Sequence, residues 1–395
     1  MPSSLLRPAL VLGLLSCVGP FAIDMYLPAM PDIGASLDTS VAAMQGTITA
    51  YFLAFGVAQL FYGPWADQAG RKIPLYAGLG VFLLGTLICA LAPTIGWLTA
   101  GRFVQGLGGA AVMVVPRAII RDMATGHHAT RLMAAIMLVI SVSPMLAPLA
   151  GAGVMAVASW RWIFGVLAIA AFLSLLMIRF VLTETLPPTQ RQRFDMADTI
   201  RGAKRLLSDR GFMSLTFLGG FAMASICVFI ASGPLVYTQA FGLSPTGFSL
   251  AFAVNAIGFF SASQLAAGLG QRFGATQVVR VAVLGFFVST TGLALIGTMG
   301  FATLALVIAG LFIANAFLGL VIPTVMVLAL EEHGDIAGLA SSLGGTLQML
   351  AGGMMIVVTA PFFDGTALPM LGAIAVCGAM ALVLSRLVQS QPAVA

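Results

Sequence analysis

The decapeptide GPWADQAGRK, Gly63 to Lys72, sets one acid and two bases at the end of a long apolar run, and a fainter copy, AGLGQRFGAT, recurs from Ala267 to Thr276. The copy keeps the glycine-to-glycine turn and places Gln271 where Asp67 stood. Glycines at such a place permit a tight turn and a close approach of neighbouring segments. A second pair follows the same order: GRFVQGLGG begins at Gly101 and GLFIANAFLG at Gly310, with Leu311 replacing Arg102. The chain is therefore a duplication, and the charged versions of both motifs survive only in its first half.

Working outward, the 395 residues are 60% hydrophobic and only 8% charged, against about 25% charged in a soluble domain. Mean hydropathy is +1.05. Apolar windows of roughly 20 residues predict spans at 9-30, 42-64, 74-92, 97-120, 131-156, 161-182, 212-238, 247-270, 276-298, 302-330, 337-360 and 368-388. The expected fold class is an all-α polytopic membrane protein. Its abundant glycine and proline suit membrane helices, where small residues allow close packing and neighbours satisfy freed backbone groups. The first apolar stretch is too long for a cleaved signal peptide and is expected to be span one.

The longest polar interval, from Glu184 to Arg210, divides the spans six and six. The expected organisation is an N-terminal bundle at 1-183, a linker at 184-211 and a C-terminal bundle at 212-395. Within the linker, Asp195 offers an N-cap, and Met196, Ile200, Ala203 and Leu207 make an amphipathic pattern suited to the membrane surface. Duplicated six-span halves around a central midplane cavity are a transporter architecture.

Basic residues mark the orientation. With the N-terminus inside, Arg7, Arg71, Lys72, Arg121, Arg131, the linker cluster, Arg272, Arg280 and Arg386 all fall on one side, and Arg161 falls on the other among acids. The positive-inside rule then places both termini in the cytoplasm. The same distribution explains the pI near 9.3 and excludes nucleic acid as a partner. Cys17, Cys89, Cys227 and Cys377 each lie in apolar runs, without CxxC spacing or a nearby histidine. They imply neither a disulfide framework nor a metal site.

Asp24, in FAIDMYLPAMP (Phe21 to Pro31), is the acid placed deep in hydrocarbon, where a charge costs about 2.5–3.5 kcal/mol or more. Counted from Pro31 as the outer end, it lies roughly 10 Å deep, and Arg102 lies roughly 8 Å below the outer end of span four at about 1.5 Å per residue. A carboxylate and a guanidinium at one depth can compensate each other. They are candidate partners, either as a static ion pair or as a site where Asp24 takes up and releases a proton. Helical spacing from these charges nominates Pro20, Phe21, Leu27, Gln105, Gly109 and Met113 as lining residues, joined by Tyr51, Phe55, Met137, Asn255, Phe259, Asn315 and Gln348. Such a wall is mostly apolar with a few hydrogen-bonding groups and suits amphiphilic cargo.

With these residues in hand, the whole chain resembles the major facilitator superfamily, and within it the twelve-span drug:proton antiporters of the bicyclomycin/chloramphenicol resistance type. Gly63, Asp67, Gly70, Arg71 and Lys72 match the superfamily's G-x-x-x-D-x-x-G-R-K loop. The resemblance implies a cytoplasmic gate in which Arg71 pairs with Asp122, and Asp67 can meet a positive helix N-terminus. Arg102, Gln105 and Gly106 match the R-x-x-Q-G motif of span four, and Asp24 corresponds to the coupling carboxylate of span one. In span five, Pro148 and Gly151 partly match the antiporter motif G-P-x-x-G-G, with Ala147 and Ala152 in place of glycines. The implied activity is proton-coupled export of neutral or weakly charged amphiphiles, phenicol-like or bicyclomycin-like, across a bacterial-type inner membrane.

The expected partners are protons, a small drug and the bilayer, with the chain acting as a monomer and no cofactor. A proton-coupled importer on the same fold is the alternative reading. A membrane enzyme would need nucleophile, acid/base or metal groups at one depth, and no GxGD or HExxH occurs. No P-loop motif is present either.

Overall fold

The computed structural model describes residues 3–123, 126–191 and 196–388, with side chains described outside 3–10, 126–138, 190, 196, 198, 335 and 388. Met137 and the Asp195 cap fall outside the described residues. Among the described residues the chain is helical without strands: α1 (Ser3–Asp24), α2 (Met30–Ser36), α3 (Val41–Ala69), α4 (Lys72–Ala90), α5 (Ile95–Met123), α6 (Gly126–Val157), α7 (Arg161–Phe180), α8 (Met196–Ser208), α9 (Arg210–Gln239), α10 (Pro245–Phe273), α11 (Ala275–Thr298), α12 (Leu304–Glu331), α13 (Ala337–Thr359) and α14 (Leu368–Val388). Twelve helical segments are long and apolar enough to cross a membrane.

The chain divides into two compact units, Met1–Asp195 and Met196–Ala395. In the first, α5 packs most extensively on α3 and α4, α1 on α6, and α4 on α7. The second repeats that wiring, with α12 on α10 and α11, α9 on α13, and α11 on α14. Hydroxyl and carboxylate caps start several helices: Ser40 accepts from Ala43 N–H at 3.2 Å, and Asp209 from Phe212 N–H at 2.8 Å. Each satisfies a donor that the helix leaves open.

Both copies of the decapeptide loop turn on a glycine in the left-handed region, Gly70 at φ +93° and Gly274 at φ +84°. Gly63, in contrast, does not turn the chain. Helix α3 runs straight through it and through Pro64 to Ala69, so one glycine makes each turn.

Span one is broken. Its apolar segment runs from Val11 to Ser36, yet α1 stops at Asp24, a 3₁₀ turn covers Leu27–Ala29, and α2 resumes at Met30. Pro28 has no N–H to offer the Asp24 carbonyl and biases Leu27 away from helix. Pro31 therefore does not end the span as expected, and Asp24 sits near its middle.

In the second unit, α8 lies against α9 and α13. The buried contact of α8 is made by Leu206, while Ile200 and Leu207 are exposed. The stripe through Ile200 and Leu207 is thus an outer one, and a different face holds the helix to its unit.

Candidate functional site

The site grows from the break in span one. The last α-helical bond of α1 runs from Met25 N–H to the Phe21 carbonyl at 3.0 Å, and the next carbonyl, Ala22, is taken by Arg102. Arg102 Nη1 donates to Ala22 O at 2.8 Å and to Gln105 Oε1 at 2.6 Å. Gln105 Nε2 passes the network to Thr86 Oγ1 at 2.8 Å, and that hydroxyl donates to Phe82 O at 2.7 Å. One guanidinium thereby ties α1, α5 and α4.

Arg102 is fully buried. Its guanidinium carbon lies 4.7 Å from the Tyr26 ring centroid and 4.6 Å from that of Tyr51. Two aromatic rings supply cation–π attraction in a desolvated place. Nε and Nη2 have no hydrogen-bond partner among the described residues. The Tyr26 hydroxyl meets Thr47 Oγ1 at 2.8 Å, and Thr47 donates to Met44 O at 2.7 Å, which fixes the first ring. Tyr51 also stacks on Phe55, with centroids 6.0 Å apart.

Asp24 is buried at 5% exposure. Its carboxylate makes no hydrogen bond or ion pair with any described residue. The expected compensation of Asp24 by Arg102 is therefore not formed, because the broken helix offers the guanidinium a backbone carbonyl instead. Tyr51 is within electrostatic range of both charges.

Small residues set the spacing. A Cβ on Gly106 would strike the Tyr51 carbonyl, and one on Gly151 would strike the Met25 carbonyl at the break. A Cβ on Gly109 would come within 2.7 Å of the Tyr51 hydroxyl. The span-five motif thus backs onto the broken stretch of span one, with Pro148 in the same helix. Leu27 is fully buried in the 3₁₀ turn and does not line an open wall, whereas Pro20, Phe21 and Met113 are partly exposed.

The predicted loop cluster assembles. Arg71 bonds Asp67 at 2.5 Å and Asp122 at 2.7 and 3.0 Å. Sequence reasoning missed Glu184. Its carboxylate accepts from the backbone N–H of Arg71 at 2.8 Å, Lys72 at 3.1 Å, Thr185 at 3.1 Å and Leu186 at 3.1 Å. Within the first unit the acid at the α4 N-terminus is therefore Glu184, and Asp67 serves Arg71. Partial burial raises the Glu184 pKa, but these four donors outweigh it and hold the carboxyl below its ordinary range. Thr185 Oγ1 adds a bond to Asp122 at 3.0 Å, and Lys72 Nζ donates to Leu182 O at 2.8 Å.

In the second unit, Asn255 donates to its own helix at Ala251 O, 3.0 Å away. Its side chain and the Tyr237 hydroxyl lie within hydrogen-bonding reach of each other, without closing a well-formed bond. Rings surround them: Phe229 stacks on Phe252 at 5.6 Å, and Phe248 lies 6.0 Å from Tyr237. Phe259 and Asn315 belong to helix contacts: Gly319 of α12 packs on the Phe259 carbonyl, and Asn315 is buried. Gln348 packs against Gly219 of α9. Leu311, buried at 2%, occupies in α12 the place that Arg102 holds in α5. No group of three or more histidines, cysteines or acids capable of holding a metal occurs among the described residues.

Residues 12–356 match the family described as Major Facilitator Superfamily. A Bacillus subtilis (strain 168) protein named as an uncharacterized MFS-type transporter, YdgK, is 35% identical, over 94% of each chain. The Haemophilus influenzae bicyclomycin resistance protein homolog is 31% identical, over 93% of this chain and 92% of the relative. Multidrug resistance protein D of Escherichia coli (strain K12) is 29% identical, over 89% and 88%. Among solved structures, a D-xylose-proton symporter superposes at TM-score 0.76, covering 98% of both chains at 15% identity, a likeness of fold.

Proposed function

The chain belongs to the major facilitator superfamily, and we propose that within it this secondary transporter exports amphiphilic drugs in exchange for protons. Drug efflux as such follows from the relatives named for multidrug and bicyclomycin resistance. The finer reading rests on one observation: a buried carboxylate, Asp24, stands without a partner among the described residues at a helix break in mid-span, while the Arg102 guanidinium is anchored on Ala22 O and Gln105. An ionisable residue at membrane depth is a functional-site hypothesis by default, and proton relay is one of the uses of such acids.

In the proposed cycle, Asp24 takes a proton from the outer side, cargo leaves, the protein turns inward, and the proton is lost as new cargo binds. Proton and cargo favour opposite protonation states and so compete through linkage. Arg102, Gln105 and Gly106 keep the carboxylate's surroundings in place. Gly63, Asp67, Gly70, Arg71 and Asp122 form the gate on the cytoplasmic side, with both termini on that side and the chain in the inner membrane. Pro148 and Gly151 hold span five against the break. A mostly apolar surround and one deep acid favour neutral or weakly charged cargo, phenicol-like or bicyclomycin-like. Pro20, Phe21, Tyr51, Phe55, Gly109, Met113 and Asn255 are candidate contacts.

The deciding experiment adds a drug panel to purified, detergent-solubilised protein and records proton release. Release in the wild type that vanishes in Asp24→Asn supports the reading. Tight drug binding by both proteins without release from either removes Asp24 from the coupling step.

A further inference from the structure

One guanidinium plays no part in the contacts described so far. Arg117 lies in α5 inside the apolar span Ile95–Met123, five residues before Asp122 and about 8 Å from it along the axis. It has no ion pair or hydrogen bond among the described residues. The nearby acids are already engaged. Asp67 and Asp122 serve Arg71, and Glu184 serves backbone N–H groups. Residues 124–138, which follow α5 and open α6, contain no acid in their sequence.

Its position on the helix gives the charge a direction. Gly109, Met113 and Arg117 follow at steps of four along α5, each step turning about 40° around the axis, so Arg117 lies one turn past Met113 and close to its direction. Along α5, Gln105 bonds Arg102, Gly109 faces the Tyr51 hydroxyl, and Met113 reaches Gly19 of α1. Met113 therefore faces α1 of the same unit, and Arg117 follows it one turn nearer the loop end of α5. Met113 and Arg117 are both partly exposed, so a solute approaching from the loop side meets a guanidinium followed by an apolar, polarizable surface.

We propose that Arg117 is a recognition subsite for an oxyanion, and that its occupant is the carboxylate of an acidic amphiphile whose apolar body lies along Met113 and Gly109. Guanidinium binds carboxylate through two parallel hydrogen bonds. Arg102 is fifteen residues away, roughly 22 Å along the helix, so one small cargo cannot span both arginines. Selection at Arg117 and proton exchange at Asp24 are separate events. The proposal rests on the efflux reading and widens its cargo class toward acids.

The test compares dansylglycine with its uncharged amide, by fluorescence titration of the full chain as wild type, R117K and R117Q. Titrations are run in phospholipid-free nonionic detergent and in phosphatidylcholine nanodiscs with and without phosphatidylglycerol. Wild type is expected to favour the acid by about tenfold. In R117Q the preference is expected to fall to near unity through weaker acid binding, with amide binding unchanged, and R117K is expected to be intermediate. Equal binding of acid and amide by wild type, no binding of the acid, or a preference that survives in R117Q overturns the proposal. A preference present in detergent and erased by phosphatidylglycerol also overturns it, assigning the guanidinium to lipid phosphate. Proton release on binding of a neutral drug is expected to persist in R117Q and vanish in Asp24→Asn, so the two readings fail separately.

Discussion

Ala22 O accepts Arg102 Nη1 at 2.8 Å, while two residues further on the Asp24 carboxylate has no partner among the described residues. The position of the guanidinium is thus set by backbone and aromatic rings and does not depend on the charge of Asp24. Neutralising the acid should leave the surrounding packing intact. Asp24→Asn is expected to keep its thermal stability within about 1 kcal/mol of wild type and to lose gradient-driven export. Export measured in proteoliposomes with an imposed pH difference checks this, and undiminished export would remove Asp24 from the coupling step.

Arg102→Lys tests the anchor. Lysine offers a point charge where the site presents two ring faces, a carbonyl and an amide oxygen in guanidinium geometry. Removing a fully buried hydrogen-bonded group strands its partners and is expected to cost about 3 kcal/mol or more. Thermal melts should fall clearly for both Arg102→Lys and Arg102→Met. An Arg102→Lys protein as stable as wild type would show that the ring sandwich contributes little.

Gly151 has a neighbour that serves as its control. A Cβ at Gly151 would meet the Met25 carbonyl, whereas one at Gly153 finds nothing within 4 Å. Gly151→Ala is expected to destabilise by about 1–3 kcal/mol, in the manner of overpacking, and to slow export. Gly153→Ala should be near neutral. Equal effects from the two alanines would mean that the close approach is not what matters.

Glu184 gives a pH signature outside the membrane. Its folded pKa is depressed, so its contribution is present above the ordinary carboxylate value and fades as pH drops through the lower, folded one. At neutral pH, Glu184→Gln is expected to cost on the order of 1 kcal/mol, discounted for an exposed side chain. The gap to wild type should narrow below about pH 4.5. A gap that is constant from pH 7 to 4 would point to lost packing rather than lost charge.

Span count and the repeated loop were legible in the sequence because they follow from composition and spacing, and the Arg71–Asp122 pair was legible through the resemblance of the decapeptide to the superfamily loop. The break in span one was legible only in part. Pro28 and Pro31 were visible, but proline marks a helix end as readily as a break, and the choice depended on what lay beyond. The separation of Asp24 from Arg102 was out of reach, since equal depth fixes one coordinate of three. Glu184 was passed over because its partners are backbone N–H groups, which carry no residue code. Tyr26 and Thr86 were missed for a related reason: their roles come from which neighbours surround Arg102, and local periodicity is silent about that.

Leu311 stands where the first copy of the motif has Arg102, and the second loop turns on Gly274 without an acid at position 271. The two copies are chemically unequal: Gln271, Ala275 and Leu311 stand at the positions matching Asp67, Arg71 and Arg102. Substitutions at Gln271 or Leu311 therefore touch no ion pair among the described residues, whereas those at Asp67 or Arg71 break one. The halves match in wiring and differ in charge, and tolerance to substitution at these paired motif positions should be higher in the second.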